Sequence, residues 1–468
     1  LPGKTSREGS QSGFPAFRRW IAIINLNPFS VPKVSPAKIL VGGFALLILL
    51  GAILLALPVS THSGRLSFLD ALFTATSAVC VTGLVVVDTG TYFTRFGQTV
   101  ILLLIQLGGL GIMTAATVFF ILLGKKITLR ERLVMQEALN QVSMQGLVRL
   151  TLSVVLLTMT VQGIGAVLLA TRFIPLYGFD TGLFYAVFHA VSAFCNAGFD
   201  LIGGFRSLEP FANDPVIPAT IVVLLILGGL GFTVLLEIKQ TRRFDRFSLH
   251  SKMTLVVTAA LLFAGTLFIL LLEYGNPATL GQFNFAGKLN NAFFTAATTR
   301  TAGYNTVPTG QLAEATLFLI IFLMFVGASP SGTGGGIKTT TLGTLLVAAL
   351  TLIRSDEEPN LFKKRIPAEL LYKALTVTMA SLLVVLLVTL SLTVVEQKPL
   401  LVMLFEATSA FGTVGLSTGV TPELSPIGRV LLIITMFVGR LGPLTMVFTL
   451  AHPRKKPFRY MAERIMIG

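Results

Sequence analysis

A chain of 468 residues with 53% apolar and only 12% charged residues, at a mean hydropathy of +0.81, is composed for lipid as its solvent rather than for two or three water-soluble domains. The net charge of +15 would suit a nucleic-acid partner, but nearly all of the 36 Lys and Arg fall between apolar runs, so the charge belongs to membrane orientation and no nucleic acid is expected. No His, Cys or carboxylate set has catalytic or ligand spacing, which argues against an enzyme, and Cys80 and Cys195 occupy matching places of a repeat, as small pore-wall residues would.

Residues 4–13 read as a frayed tail, and residues 14–33 mix Phe17, Trp20, Ile21 and Ile23 with Arg18 and Arg19, a pattern suited to the headgroup layer. Residues 39–57 form the first apolar run able to cross a core of ~30 Å, and Pro58 ends it. Residues 68–79 are too short to cross, lead into a glycine turn, and are followed by a second span over 96–123. The same order returns as 147–173, 183–194 and 215–236, as 253–272, 286–298 and 317–353, and as 370–395, 400–411 and 429–450. The expected fold is an all-α membrane protein. Four pseudo-fourfold repeats, each a membrane helix, pore helix, filter turn and membrane helix, surround one central pore. The boundaries are a tail and interfacial segment over 1–34, repeats at 35–124, 125–238, 239–354 (with a broken second helix) and 355–451, and a cytoplasmic tail over 452–468.

The short helices end on aligned glycines, Gly83, Gly198, Gly303 and Gly415, spaced 115, 105 and 112 residues apart. Ahead of them the turns read Val79-Cys80-Val81-Thr82, Phe194-Cys195-Asn196-Ala197, Thr299-Arg300-Thr301-Ala302 and Phe411-Gly412-Thr413-Val414. Irregular backbone at membrane depth is tolerated only in protein or beside a water-filled cavity, and four such turns about one axis make a ring whose carbonyls can replace the hydration shell of a monovalent cation. The C-terminal ends of the short helices add partial negative charge. Close helix packing explains isolated membrane glycines but not this fourfold setting.

Charge sets the topology. The N-terminal segment, the three inter-repeat loops and the C-terminal tail hold 26 Lys and Arg, the opposite side holds eight, and Lys338 and Arg440 sit inside apolar spans. Both termini are therefore expected in the cytoplasm, with the chain in the cell membrane.

The stretches Cys80-Val81-Thr82-Gly83-Leu84, Cys195-Asn196-Ala197-Gly198-Phe199-Asp200, Thr299-Arg300-Thr301-Ala302-Gly303-Tyr304-Asn305-Thr306 and Phe411-Gly412-Thr413-Val414-Gly415-Leu416-Ser417-Thr418-Gly419 stand in the order found in the Trk/Ktr/HKT superfamily of potassium-translocating subunits. The resemblance covers residues 39–450. It is closest to the bacterial KtrB branch, because the first span leads straight to the first filter turn. The resemblance implies gated potassium uptake, often sodium-stimulated, by a homodimer with a cytoplasmic nucleotide-binding ring. A symporter that holds potassium and a coupling sodium ion or proton in broken helices is the rival reading.

The third repeat differs from the others. Its second membrane segment carries Gly327, Ser329, Gly332, Gly334, Gly335, Gly336 and Lys338 near mid-membrane, in a stretch expected to be a mobile gate that few contacts hold shut. Its faint likeness to a phosphate-binding loop fails, since Ile337 replaces the glycine before the lysine and no strand precedes it, so no nucleotide is expected on this chain. Arg440 replaces a glycine of the Leu-Gly-Gly-Leu-Gly run found at 107–111 and 227–231, and at membrane depth it should face the pore or the free carbonyls of the gate. Arg300 should point away from the axis, His189 and Glu406 should make buried structural hydrogen bonds, and Asp88 and Asp200 should draw cations to the outer mouth.

Overall fold

The computed structural model describes residues 36–111, 114, 147–355, 358–443 and 445–446, which are mostly helical. The interfacial segment, the second half of the span expected at 96–123, the first inter-repeat loop and the tail at 452–468 lie outside the described residues.

The first repeat holds α1 (Pro36–Ala56), α2 (Phe68–Val79) and α3 (Arg95–Leu110); the second holds α4 (Leu147–Tyr177), α5 (Phe179–Phe194), α6 (Ile217–Leu230) and α7 (Phe232–Thr241). The third is α8 (Leu249–Glu273), α9 (Phe285–Thr298), α10 (Glu314–Phe325) and α11 (Thr339–Ile353), and the fourth is α12 (Ala368–Glu396), α13 (Leu400–Gly412) and α14 (Pro426–Leu441). A two-stranded hairpin, β1 (Asn360–Leu361) and β2 (Lys364–Arg365), precedes α12.

Local sequence explains the starts of the short helices. The Ser67 hydroxyl accepts the Asp70 N–H at 3.1 Å and Asn284 Oδ1 accepts that of Gly287 at 2.8 Å, N-caps for α2 and α9. Helices α1, α4, α8 and α12 are the four, among the described residues, long and apolar enough to cross a membrane unaided, and only 17–28% of each apolar window is buried in protein. They form the lipid-facing periphery. The short helices α2, α5, α9 and α13 form the interior, burying Phe73, Phe188, Phe294 and Phe405.

The second membrane helices differ from expectation. Sequence favoured an unbroken helix in three repeats; instead α3, α6 and α14 stop at Gly111, Gly231 and Gly442, at φ/ψ of 83°/138°, 93°/138° and 84°/140°. Glycine alone adopts that region without strain, so the last glycine of each run is a helix breaker. Helix α7 leaves α6 at 96° across Gly231. The break in the third repeat is therefore a longer version of a feature that the other three share.

Candidate ion pathway

The four turns share one backbone. Val81, Asn196, Thr301 and Thr413, each two places before its glycine, are left-handed at φ 52°, 58°, 68° and 51°, and the glycines follow at 89°, 69°, 78° and 92°. Left-handed backbone is strained for Val and Thr and persists only where surroundings hold it. The holding bonds are repeated: the N–H groups of Thr82, Ala197 and Val414 donate to the carbonyls of Ser77, Ser192 and Ser409, each at 2.8 Å, while in the third turn Ala302 donates to Thr298 at 2.9 Å. The hydroxyls of Ser77 and Ser409 accept the N–H of Gly83 and Gly415 at 3.0 and 3.1 Å. These amide hydrogens are thus spent on the frame.

The glycines meet in a closed cycle. A Cβ on Gly83 would lie 2.5 Å from the Ala197 oxygen, one on Gly198 2.7 Å from that of Ala302, one on Gly303 2.7 Å from that of Val414, and one on Gly415 would overlap that of Thr82. Each repeat therefore abuts the next, the fourth returns to the first, and no side chain fits in between. Arg429 on α14 and Asp70 at the start of α2, paired at 2.5 Å, reinforce the same closure.

Not every expected filter residue joins this ring. Gly108, Gly228 and Gly439, the first glycines of the runs that break α3, α6 and α14, lie so close to the carbonyls of Val79, Phe194 and Phe411 that a Cβ would overlap them. Those three residues fasten the short helices to the second membrane helices. Thr299 turns its hydroxyl back to the Ala296 carbonyl at 2.7 Å, and Gly412 sits against the Met324 carbonyl. Both cysteines are buried, and Cys195 Sγ lies 3.6 Å from Gln162 Nε2 and 3.7 Å from Gln106 Oε1, between α3 and α4. Arg300 is buried and donates to the Gly327 carbonyl at 3.4 Å, at the start of the third-repeat loop.

Residues 326–338 lie against the left-handed residues of three turns. The N–H groups of Ser329 and Thr333 donate to the carbonyls of Gly229 and Gly228 at 2.9 and 3.2 Å, and the Ser331 carbonyl accepts the Phe232 N–H at 3.0 Å. The Gly335 N–H donates to Thr413 Oγ1 at 2.8 Å, and Thr333 Oγ1 to Asn196 Oδ1 at 3.0 Å. Thr301 Oγ1 stands where a Cβ on Gly334 would be, Gly332 lies between the Gly229 and Ser329 carbonyls, and Gly336 turns at φ 67°. Lys338 Nζ caps the Gly334 carbonyl at 2.8 Å, and Val326 and Ile337 pair as a bridge across the neck of the loop. The expected loose loop is thus fastened at nearly every residue, because backbone at this depth must find protein partners where water is absent.

Arg440 completes the layer. One guanidinium nitrogen donates to the Thr333 carbonyl and another to that of Gly108, so one side chain of the fourth repeat ties the third-repeat loop to the first repeat. Thr333 and Gly108 are the partners that sequence reasoning missed. Thr333 is the lone threonine between Gly327 and Lys338, the one available signal.

On the other face of the ring, a recess is lined by Gly83, Asp88, Gly198, Asp200 and Phe205. Asp88 accepts the N–H of Thr91 at 2.9 Å and of Phe205 at 2.8 Å. Burial pushes the Asp200 carboxyl up to about 6; its bond from the Ile202 N–H opposes the rise and the Asp88 charge adds to it. His189 is structural, bonded through Nδ1 to the Tyr185 carbonyl at 2.7 Å and through Nε2 to the Leu201 N–H at 3.4 Å. Glu406 likewise accepts from Ser417, Thr418 and Thr421.

A sequence profile of the TrkH family, described as a cation transport protein, matches residues 44–460. Ktr system potassium uptake protein B of Bacillus subtilis is 45% identical over 93% of this chain and 97% of its own, and the protein of the same description from Vibrio alginolyticus is 40% identical over 93% and 96%. The potassium/sodium uptake protein NtpJ of Enterococcus hirae is 40% identical over 93% and 98%. The crystal structure of the potassium transporter TrkH from Vibrio parahaemolyticus shares the fold at a TM-score of 0.70, covering 91% of this chain and 86% of that one at 18% identity.

Proposed function

The chain belongs to the TrkH family of cation transport proteins, and from that footing we propose that it is the membrane subunit of a Ktr-type system, taking up potassium through a gated pore with sodium as a stimulating ion. The observation that carries this reading is the closed cycle of Gly83, Gly198, Gly303 and Gly415 against the carbonyls of Thr82, Ala197, Ala302 and Val414. Carbonyl oxygens crowded around an axis, with helix C-termini behind them, favour a dehydrated monovalent cation and repel anions. The loop over 327–338 with Arg440 is the gate, since it bonds to three of the four turns on one face of the ring.

In this reading the repeats at 35–124, 125–238, 239–354 and 355–451 are the structural units and both termini are cytoplasmic, which the Lys and Arg distribution supports. Two copies form a dimer in the cell membrane, and a cytoplasmic nucleotide-binding ring biases the loop. The test is potassium uptake by a strain lacking other uptake systems, paired with bilayer recordings under bi-ionic conditions. Unitary potassium currents are expected. Uptake without unitary events, and with fixed sodium or proton stoichiometry, would establish the symporter instead.

A further inference from the structure

The side chains at the left-handed positions serve two layers at once. Asn196 and Thr413 each sit immediately before a residue whose carbonyl lies in the ring, Ala197 and Val414, so their backbone angles aim those oxygens. The same two side chains hold the loop: Asn196 Oδ1 accepts from Thr333 Oγ1 at 3.0 Å and Thr413 Oγ1 accepts the Gly335 N–H at 2.8 Å. Asn196 also donates to Thr301 Oγ1 at 3.3 Å and to the Arg300 carbonyl at 3.2 Å, carrying the connection into the third turn. In the first turn the equivalent residue is Val81, left-handed as well but without a hydrogen-bonding side chain.

Strained backbone stays populated when neighbours over-determine it. In the second and fourth turns some of those neighbours belong to the loop, which must leave for an ion to pass. Seating the loop therefore stabilises the backbone that aims the ring oxygens, and withdrawing it removes that support. By linkage, an ion that fits the ring must in turn favour the seated loop.

We propose that Asn196 and Thr413 are positioning residues that link potassium occupancy of the glycine ring to seating of the loop, so that the ring binds potassium more tightly when the loop is in place. This rests on the reading of the ring as a potassium site. The linkage is a property of three of the four repeats: the first turn, with Val81, keeps its geometry whether the loop is seated or not.

The experiment is potassium-dependent thermal stabilisation of the purified full-length protein, titrated with potassium and, separately, with sodium. Wild-type protein is expected to gain stability with potassium at lower concentrations than with sodium. Thr413→Val, which copies the first turn, is expected to raise the potassium concentration for half-maximal stabilisation about fivefold, the size of one lost buried hydrogen bond, and Thr413→Ser to restore it. Thr333→Val, which strips the loop's bond to Asn196, should act in the same direction, and combining Thr413→Val with a loop shortened over 331–335 should add nothing to the shortened loop alone. No potassium-dependent stabilisation in wild type would remove the potassium-site reading itself. Stabilisation in wild type that Thr413→Val and Thr333→Val both leave unshifted, or a Thr413→Val effect that persists in full on the shortened loop, would overturn the linkage and leave that reading standing.

Discussion

The glycine ring and the layer against it are built by opposite means. In the ring every repeat supplies a left-handed residue at the same place, then a carbonyl and then a glycine, and contact between neighbours is too close for any side chain. In the layer the repeats contribute unequally: the first gives the Gly108 carbonyl, the second the Gly228 and Gly229 carbonyls with Asn196, the third the loop itself, and the fourth Thr413 and Arg440. Equal distances to a spherical ion are most simply made by repeating one backbone. A single loop cannot be fourfold, so it is held by unlike side chains, Asn196, Thr413 and Arg440.

The largest effect is expected from breaking the repeated part. Gly415→Ser places a side chain onto the Thr82 oxygen, and Gly83→Ser places one 2.5 Å from that of Ala197, each at a φ that favours glycine. Potassium over sodium discrimination should fall about tenfold or more, the cost of opening the ring by a misfitting side chain. Permeability ratios from bi-ionic potentials measure it. Retained ratios in both variants would mean that ions are sorted elsewhere.

Next in size is the helix break that gives the layer its room. Gly231→Ala forces a Cβ onto the Pro330 carbonyl at φ 93°, a strain of about 1–3 kcal/mol. A lower melting temperature is expected, with no loss in the comparison variant Gly163→Ala, inside α4, where no atom lies within 4 Å and alanine favours the helix. Equal stability in the two variants would mean that the break is incidental.

Arg440→Ala tests the layer without touching the ring. It releases the loop from Gly108 and Thr333, so potassium uptake per protein should rise several-fold, on the scale of one or two charge-assisted hydrogen bonds, with unaltered permeability ratios. Arg440→Lys should be intermediate, because one ammonium group does not reproduce a planar fork reaching two carbonyls. Uptake falling in proportion to protein abundance would mean that Arg440 only holds the fold together.

How much of this was legible follows the same division. The repeat could be read because it is periodic: the bounds of α2 match expectation, and the aligned glycines meet in a ring. The breaks at Gly111, Gly231 and Gly442 are not legible in the Leu-Gly-Gly-Leu-Gly runs or in their Arg440 counterpart. A glycine within apolar sequence is as compatible with close packing as with positive φ, and here Gly108 does the first while Gly111 does the second. The loop was misread as loosely held because glycine and serine content reports what a backbone can adopt, not which carbonyls it meets. Val79, Phe194 and Phe411 were placed in the filter by adjacency, whereas helix geometry turns their carbonyls onto the second membrane helices.

The smallest expected effect concerns the recess on the far side of the ring, where Asp200 and Asp88 come from the second and first repeats alone. Asp200 is raised to about 6, chiefly by burial, so it is an anion in neutral medium and gains a proton as external pH falls through that value. A negative charge at the mouth concentrates cations, and its loss should raise the external potassium needed for half-maximal uptake about two- to threefold, less at high ionic strength, where screening shortens its reach. Uptake at limiting potassium should therefore decline between pH 7 and 5 while the maximal rate holds, and Asp200→Asn should begin at the acidic value and lose the pH dependence. Asp88 is the contrasting case, because its two backbone hydrogen bonds cap the Thr89–Tyr92 turn and fix the Phe205 loop. Asp88→Asn should lower stability as well as potassium affinity. A pH profile that survives Asp200→Asn unchanged would show that the mouth does not gather cations through this carboxylate.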